Sequence, residues 1–166
     1  MIQTQGATAN LTGAALEAEI VGTLAEVNIP AVVFSAWNGE KTTKATLVRQ
    51  FKYTKWGNGN GKGDFMLFHP AFGNGVVIEA RSQRTAGSVD EKLPALLINA
   101  IKAAQQYKTH MAIIVLDGAG VKENLRVQLT RAAAGLDEFI NKPTDVTVHV
   151  MTLAQFRAFV SSTLRG

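Results

Sequence analysis

The sequence of 166 residues contains no cysteine. That absence excludes disulfide bonds, zinc sites built from thiolates and enzymes that use a cysteine nucleophile. It agrees with a cytoplasmic protein, and we expect that location. No apolar run approaches the ~20 residues that a membrane-spanning helix needs, and the first residues lack the basic and apolar regions of a signal peptide. We therefore expect no membrane partner.

Several familiar catalytic patterns are missing as well. No Gly-x-Ser-x-Gly motif is present, which argues against a serine hydrolase of that type. His69, His110 and His149 have no partners at metal-ligand spacing, so we expect structural or solvent-exposed roles for them. The segment 56–63 holds four glycines but lacks the Walker pattern and precedes a strand. We predict that it is a flexible hairpin tip, with contact to a ligand as the alternative.

The overall composition favours one compact domain. Hydrophobic residues make up 46% of the chain, and neither an internal repeat nor a linker divides it. A chain of this length can bury a full core, so we expect a single domain over residues 1–166. The net charge of +4 suits a polyanionic partner, although charge alone raises that expectation only slightly.

Apolar periodicity predicts an alternation of helices and strands. A first helix is expected from Asn10 or Thr12 to about Val27, followed by a short strand or covered loop at 31–37. Three strands are then predicted at 45–53, 65–68 and 76–83. A helix from near Asp90 to 107, a buried strand at 111–116, a helix at 123–140, a strand at 146–151 and a helix at 153–164 complete the chain. This order predicts an α/β domain.

The segment 63–92 carries the strongest chemical pattern. Asp64 opens one apolar strand, and Glu79 lies near the end of the next, 15 positions later. Proline and glycine between the two strands predict a β-hairpin, which brings the two acids together. Arg81 lies two positions after Glu79 and therefore points to the same face of the strand. Two acids and a basic group on one sheet face form the geometry of a site that holds a divalent metal near a phosphate.

Glu17 is a further acidic candidate, because it falls in the middle of the apolar stripe of the first helix. A carboxylate on a buried face is costly unless a cation or hydrogen-bond donors meet it. Two alternatives stay open at this point. Glu17 is either a boundary residue or arginine partner with no further role, or part of a site.

Basic residues are dense before the hairpin and are interleaved with Tyr53 and Trp56. They predict either a surface that follows a phosphate backbone or a solvated edge strand protected by lysines. The nucleic-acid-binding candidates are Lys44, Lys52, Lys55, Lys62 and Arg84.

The order of these elements resembles the PD-(D/E)xK nuclease superfamily, over roughly residues 10–116. The family core is αβββαβ, and the order here is a helix with a glutamate, a strand, a strand opening on aspartate, a strand with Glu-x-basic, and a helix. The resemblance implies a restriction-endonuclease-like fold, with a mixed central sheet flanked by helices and a C-terminal αβα extension. The segment 87–92 is similar to the polar turn and helix start of small proteins of this type.

The resemblance also assigns roles to residues. Asp64 matches the acid of the family, and Glu79-Ala80-Arg81 lies where the family has (D/E)-x-K. Glu17 matches the helix glutamate that is often added to the metal site, and Gln83 completes a Glu-x-Lys-x-Gln pattern seen in a subset. The resemblance implies that Glu17, Asp64, Glu79 and the carbonyl of Ala80 hold Mg²⁺, for which Mn²⁺ substitutes. Arg81 would clamp the phosphate, with Gln83 and Lys92 orienting the water or the backbone.

The implied function is a metal-dependent endonuclease acting on double-stranded DNA, or a subunit of one, with a homodimer expected by analogy. One residue departs from the family pattern, since Arg81 replaces the lysine. Arginine keeps its proton and cannot act as a general base, although it can stabilise charge. The first alternative is a non-catalytic nuclease-fold protein that binds nucleic acid or a protein. The second is a ligand-binding or structural domain with incidental carboxylates.

Overall fold

A computed structural model of the chain describes residues 5–40, 44–55, 57–83, 92–118, 121, 123–139 and 145–165. Within them the chain forms four α-helices and eight strands. The helices are α1 (Gln5–Ala25), α2 (Leu93–Gln106), α3 (Glu123–Phe139) and α4 (Leu153–Thr163). The strands are β1 (Ala31–Val33), β2 (Thr46–Arg49), β3 (Lys52–Thr54), β4 (Asn60–Lys62), β5 (Phe65–Phe68), β6 (Val76–Ser82), β7 (Met111–Asp117) and β8 (Thr147–Met151).

Six of the strands form one mixed sheet in the order β1-β2-β5-β6-β7-β8. The pairs β2–β5 and β5–β6 are antiparallel, whereas β1–β2, β6–β7 and β7–β8 are parallel. The apolar run at 112–116 is buried along its whole length, because helices cover both faces of the sheet. The mixed α/β fold predicted from the sequence is therefore confirmed.

Each face of the sheet packs against its own pair of helices. On one face, α1 and α4 contribute Leu16, Ile20 and Phe156 to a cluster that includes Ile78 and Ala80 of β6. On the other face, α2 and α3 cover alternate residues of the same strands, such as Val77. Burial of each large apolar side chain stabilises the fold by about 1.5–3 kcal/mol. The alternation places Glu79 and Arg81 on the α2 side with Val77.

The predicted strand 45–53 is interrupted in the structure. Gln50 adopts a left-handed conformation with φ of 55°, and its N–H donates to the carbonyl of Asp64 at 2.8 Å. The chain leaves the main sheet there and continues as a separate hairpin formed by β3 and β4. A positive φ is uncommon at a residue other than glycine, and the uninterrupted apolar alternation contained no signal for this break.

The glycine-rich segment forms the predicted hairpin, but two of its glycines serve packing. A Cβ atom on Gly61 would lie 2.7 Å from the ring of Tyr53, and one on Gly63 would lie 2.2 Å from the ring of Phe51. Both distances are too short for any residue larger than glycine. These two glycines therefore let the chain pack closely against the rings of Tyr53 and Phe51. They serve packing as well as flexibility.

Apart from the interrupted strand, the boundaries of the described elements differ most from the prediction at the start of α1. This helix begins at Gln5, so Asn10 and Thr12 lie inside it rather than capping it. A cap contributes only about 1 kcal/mol, and the alanine-rich sequence around these residues favours continuation of the helix. The predicted start of α2 near Asp90 lies outside the described residues. None of the described helices has the length and apolarity to cross a membrane.

Candidate active site

The hairpin of β5 and β6 brings Asp64 and Glu79 together, as the sequence predicts. Its register pairs Phe65 with Ile78 and Met66 with Val77, so Asp64 lies opposite Glu79 where the ladder ends. The side chain of Asp64 is fixed by the neighbouring strand, because the N–H of Ala80 donates to its Oδ2 atom at 2.8 Å. This carboxylate is therefore tied to the backbone of β6.

Arg81 binds the same group of oxygen atoms. Its Nη1 atom donates to Asp64 Oδ2 at 3.1 Å and to the carbonyl oxygen of Ala80 at 2.7 Å. Its Nη2 atom lies 3.7 Å from Glu79 Oε2. The carboxylates are buried, with side chains 12% and 4% exposed for Asp64 and Glu79, whereas the Arg81 side chain is 43% exposed. We call Asp64, Glu79, Arg81 and the Ala80 carbonyl the acid centre.

The acid centre contains more negative charge than Arg81 offsets. Burial raises the pKa of Glu79 well above its ordinary value, and the charge of Asp64 raises it further. The guanidinium of Arg81 acts in the opposite direction but does not cancel the other two effects. A cation that binds there would favour the ionised form of Glu79 and so offset part of this cost.

Glu17 approaches the acid centre from α1. It is half-buried, and its pKa is raised by burial and then by the negative charge of Asp64, while Arg49 and Arg81 lower it. It forms no ion pair within 4.0 Å with any residue that the structure describes. The helix thus places Glu17 within electrostatic range of Asp64, and no described arginine forms an ion pair with it.

Tyr53 is a neighbour of the acid centre that the sequence did not assign to it. The residue lies on β3 and is only 8% exposed. Burial raises the pKa of its phenol to about 12, with a further rise caused by the charge of Glu79. The interleaving of Tyr53 with lysines predicted either a surface that follows a phosphate backbone or a solvated edge strand. No sequence signal showed that the turn at Gln50 buries Tyr53 within electrostatic range of Glu79.

The remaining predicted catalytic residues lie further along the chain. Gln83 is buried at the end of β6, where its N–H donates to the carbonyl of Asp117 at 2.9 Å. Lys92 is exposed at the N-terminal end of α2 and forms no ion pair with a described carboxylate. The structure does not bring Lys92 into contact with the acid centre. Arg84 and the segment 87–91 lie outside the described residues.

The hairpin of β3 and β4 carries the exposed lysines Lys52, Lys55 and Lys62, and we call it the lysine hairpin. Lys52 and Lys62 lie directly opposite each other in its register. Like charges in that position repel each other, and neither residue forms an ion pair with a described carboxylate. Beside the tip, a polar cleft of about 530 Å³ lies between Lys55 and Lys102 of α2. Lys44 is also exposed.

Two of the three histidines have structural roles, as expected. The Nδ1 atom of His69 accepts from the N–H of Ala71 at 3.1 Å and caps a short 3-10 helix (Pro70–Phe72) between β5 and β6. His110 lies 2.7 Å from the carboxylate of Asp145. His149 is half-buried on β8.

Comparison with known families assigns the chain. The profile of the PD-(D/E)XK nuclease superfamily domain matches residues 8–164. The chain belongs to the PD-(D/E)XK nuclease superfamily. The match extends well beyond residues 10–116, so α3, β8 and α4 fall within it. No curated protein and no solved structure matches the chain. Membership supports a nuclease-type function, and nucleases of this superfamily generally use divalent metal ions.

The acid centre fits a divalent cation by its chemistry. Carboxylate and carbonyl oxygens are the ligands that Mg²⁺ and Mn²⁺ prefer. Here these oxygens already converge on one positive group, and burial together with the charge of Asp64 raises the pKa of Glu79. In the described part of the chain, however, no three acidic or histidine side chains are grouped closely enough to hold a metal. The centre offers two carboxylates and one backbone carbonyl.

Proposed function

We propose that this nuclease-superfamily protein is a metal-dependent endonuclease that hydrolyses phosphodiester bonds in double-stranded DNA. One observation carries the proposal. Asp64, Glu79 and the carbonyl of Ala80 turn towards a single cation at the end of the β5–β6 ladder. Two buried carboxylates are costly to hold together, and catalytic sites are where such groups are found.

Asp64, Glu79 and the Ala80 carbonyl would hold Mg²⁺ or Mn²⁺, and Glu17 would supply a third carboxylate from α1. The bound metal would acidify a water molecule and neutralise charge that develops on the phosphate. Glu17 supports this role because its pKa responds to the charge of Asp64.

Arg81 would stabilise the negative charge of the phosphate. Its guanidinium is permanently charged and has paired donors that match phosphate oxygens. Because it keeps its proton, its contribution is electrostatic rather than that of a base. Gln83 and Lys92 would orient the water or the DNA backbone. Gln83 lies two residues after Arg81 on the same strand end, and Lys92 contributes an exposed charge at the start of α2.

The lysine hairpin would hold the DNA. Tyr53 of the same hairpin lies within electrostatic range of Glu79, which supports a common role for the hairpin and the acid centre. Exposed lysines bind phosphates and release counterions, which gives affinity without sequence specificity. Lys44 and Arg84 would extend this surface. Cutting both strands would require two copies of so small a chain, so we propose a homodimer on DNA in the cytoplasm.

The position of Arg81 also favours a second candidate, a nuclease-fold protein that binds nucleic acid or a protein without cutting. Arginine stands where the family has its lysine, and its guanidinium occupies the oxygens of the acid centre. A site that has lost catalysis would retain such a stable ion pair.

Incubation with supercoiled plasmid and Mn²⁺ or Mg²⁺ separates the two candidates. We expect the wild type to nick the plasmid with metal and to stop when the metal is chelated. Glu79→Ala and Asp64→Ala should each abolish nicking, whereas Glu19→Ala should not, because Glu19 is an exposed carboxylate paired with Arg157. A wild type that binds plasmid but nicks it with neither metal supports the non-catalytic candidate. Nicking that survives both substitutions together refutes the assigned site.

A further inference from the structure

The guanidinium of Arg81 contacts the very atoms that we assign to the metal. It lies 3.1 Å from Asp64 Oδ2, 2.7 Å from the carbonyl oxygen of Ala80 and 3.7 Å from Glu79 Oε2. We propose that Arg81 is the resident counter-ion of the acid centre and is displaced as a divalent metal binds there. This inference rests on the proposed function and concerns the regulation of the same site.

The oxygen Oδ2 of Asp64 cannot serve both cations at once. A carboxylate oxygen offers two lone pairs, and here they are taken by the N–H of Ala80 at 2.8 Å and by Arg81 Nη1 at 3.1 Å. The N–H of Ala80 belongs to a central strand and cannot leave without breaking the sheet. A metal that binds this oxygen would replace Arg81. A metal that binds Oδ1 of Asp64 would still meet the guanidinium, because Arg81 spans Asp64, the Ala80 carbonyl and Glu79.

Arg81 is also the partner that can move. Its side chain is 43% exposed, and the structure gives its guanidinium no described partner outside the acid centre. Its departure to solvent would leave two buried carboxylates without a cation, which is strongly unfavourable. Departure is therefore expected only when another cation arrives. The exchange would free the guanidinium for a phosphate at the moment when the metal is in place.

Mn²⁺ binding to the metal-free protein tests the exchange without any measurement of cleavage. The variants are Arg81→Met, which keeps the aliphatic stem but removes the competing charge, and Arg49→Met as the matched control. Arg49 lowers the pKa of Glu17 electrostatically but forms no ion pair with Asp64 or Glu79. We expect calorimetry to show Mn²⁺ affinity raised by about tenfold or more in Arg81→Met, and by less than about threefold in Arg49→Met.

A second measurement uses the wild type, in case Arg81→Met does not fold. The Nε–H signal of Arg81 in an NMR spectrum should shift and exchange faster with water as Mg²⁺ is added, because the guanidinium leaves its partners. An unchanged Arg81 signal at saturating Mg²⁺ would overturn the inference.

The outcomes separate the inference from the proposed function. Equal Mn²⁺ affinities for wild type and Arg81→Met would show that the metal binds with Arg81 in place, which overturns the exchange but leaves the metal site intact. An equal increase in Mn²⁺ affinity in both variants would show that the loss of any nearby positive charge has the same effect. That result would also overturn the exchange. Absence of Mn²⁺ binding in all three proteins would overturn the exchange together with the metal-dependent function.

Discussion

The acid centre and the lysine hairpin differ in how their charged side chains are buried and paired. In the acid centre, the carboxylates of Asp64 and Glu79 are buried, and Arg81 is held against them. In the lysine hairpin, Lys52 and Lys62 are exposed and face each other with no described carboxylate between them. Buried charge requires a partner within the protein because desolvation is costly. Exposed charge does not, and it stays available for an external polyanion.

This difference separates two tasks that one proposed activity needs. The acid centre has the fixed geometry and the excess negative charge that suit chemistry on a phosphodiester. The lysine hairpin has the accessible positive charge that suits binding of a DNA backbone. Tyr53 connects them, because it is part of the hairpin and its pKa responds to Glu79. Substitutions in the acid centre should therefore change the cleavage rate, and substitutions in the lysine hairpin should change the affinity for DNA.

Among the basic residues of the two regions, the largest effect is expected at Arg81, which is held against the carboxylates of the acid centre. Arg81→Ala should lower the cleavage rate about 10²-fold or more, the scale of removing one positioned charge from a transition state. Arg81→Lys should keep or raise the rate, since lysine carries the same charge and can shed a proton when buried. Single-turnover plasmid cleavage in Mn²⁺ measures both. An Arg81→Ala protein as fast as wild type would remove Arg81 from the reaction.

A smaller effect is expected in the hairpin, and it should appear in DNA binding. Lys52→Gln combined with Lys62→Gln should weaken DNA binding and lower the slope of log affinity against log salt by about 2, because two phosphate contacts are lost. Fluorescence anisotropy with labelled duplex at several salt concentrations measures the slope. Arg165→Gln is the control, since Arg165 is exposed beside α4 on the opposite side of the sheet. An unchanged slope in the double variant would exclude the hairpin from the interface.

The smallest effect is expected in the pH dependence of the free energy of unfolding, where a buried glutamate is compared with an exposed one. The pKa of Glu79 is raised in the folded protein, so the folded state retains a proton that the unfolded chain releases at lower pH. The stabilisation that comes from binding this proton is fully present below the ordinary glutamate pKa of 4.5. It is lost as the pH rises through the raised pKa of Glu79. Denaturant titrations of metal-free protein should show the free energy of unfolding falling over this range. Glu79→Gln should flatten the fall, and Glu26→Gln, at an exposed site on the chain after α1, should not.

Much of the fold was predictable because its signals are local. The turn between β5 and β6 is marked by proline and glycine, so the meeting of Asp64 and Glu79 followed from the sequence. Long apolar periodicity likewise predicted β7, α3, β8 and α4 to within about a residue or two. The half-burial of Glu17 also followed from helical geometry, because the residue lies within the apolar stripe of α1.

The arrangement of the site was less predictable because it depends on single torsions and contacts. The left-handed conformation of Gln50 directs β3 out of the sheet and buries Tyr53 beside Glu79, and no neighbouring glycine signals it. The placement of Arg81 on Asp64 Oδ2 and the Ala80 carbonyl depends on the side-chain torsions of one residue. Sequence spacing showed only that Arg81 and Glu79 share a face. The roles of Glu17, Gln83 and Lys92 stay predictions.

One measurement tests the division between cutting and binding most directly, namely the single-turnover cleavage rate as a function of protein concentration. We predict that the Lys52→Gln and Lys62→Gln double variant reaches the same maximal rate as wild type in Mn²⁺. Its half-saturating concentration should be about tenfold higher, because only phosphate contacts are lost. A double variant that loses maximal rate at an unchanged half-saturating concentration would contradict this account. Failure of the wild type to cleave at any concentration would contradict it as well.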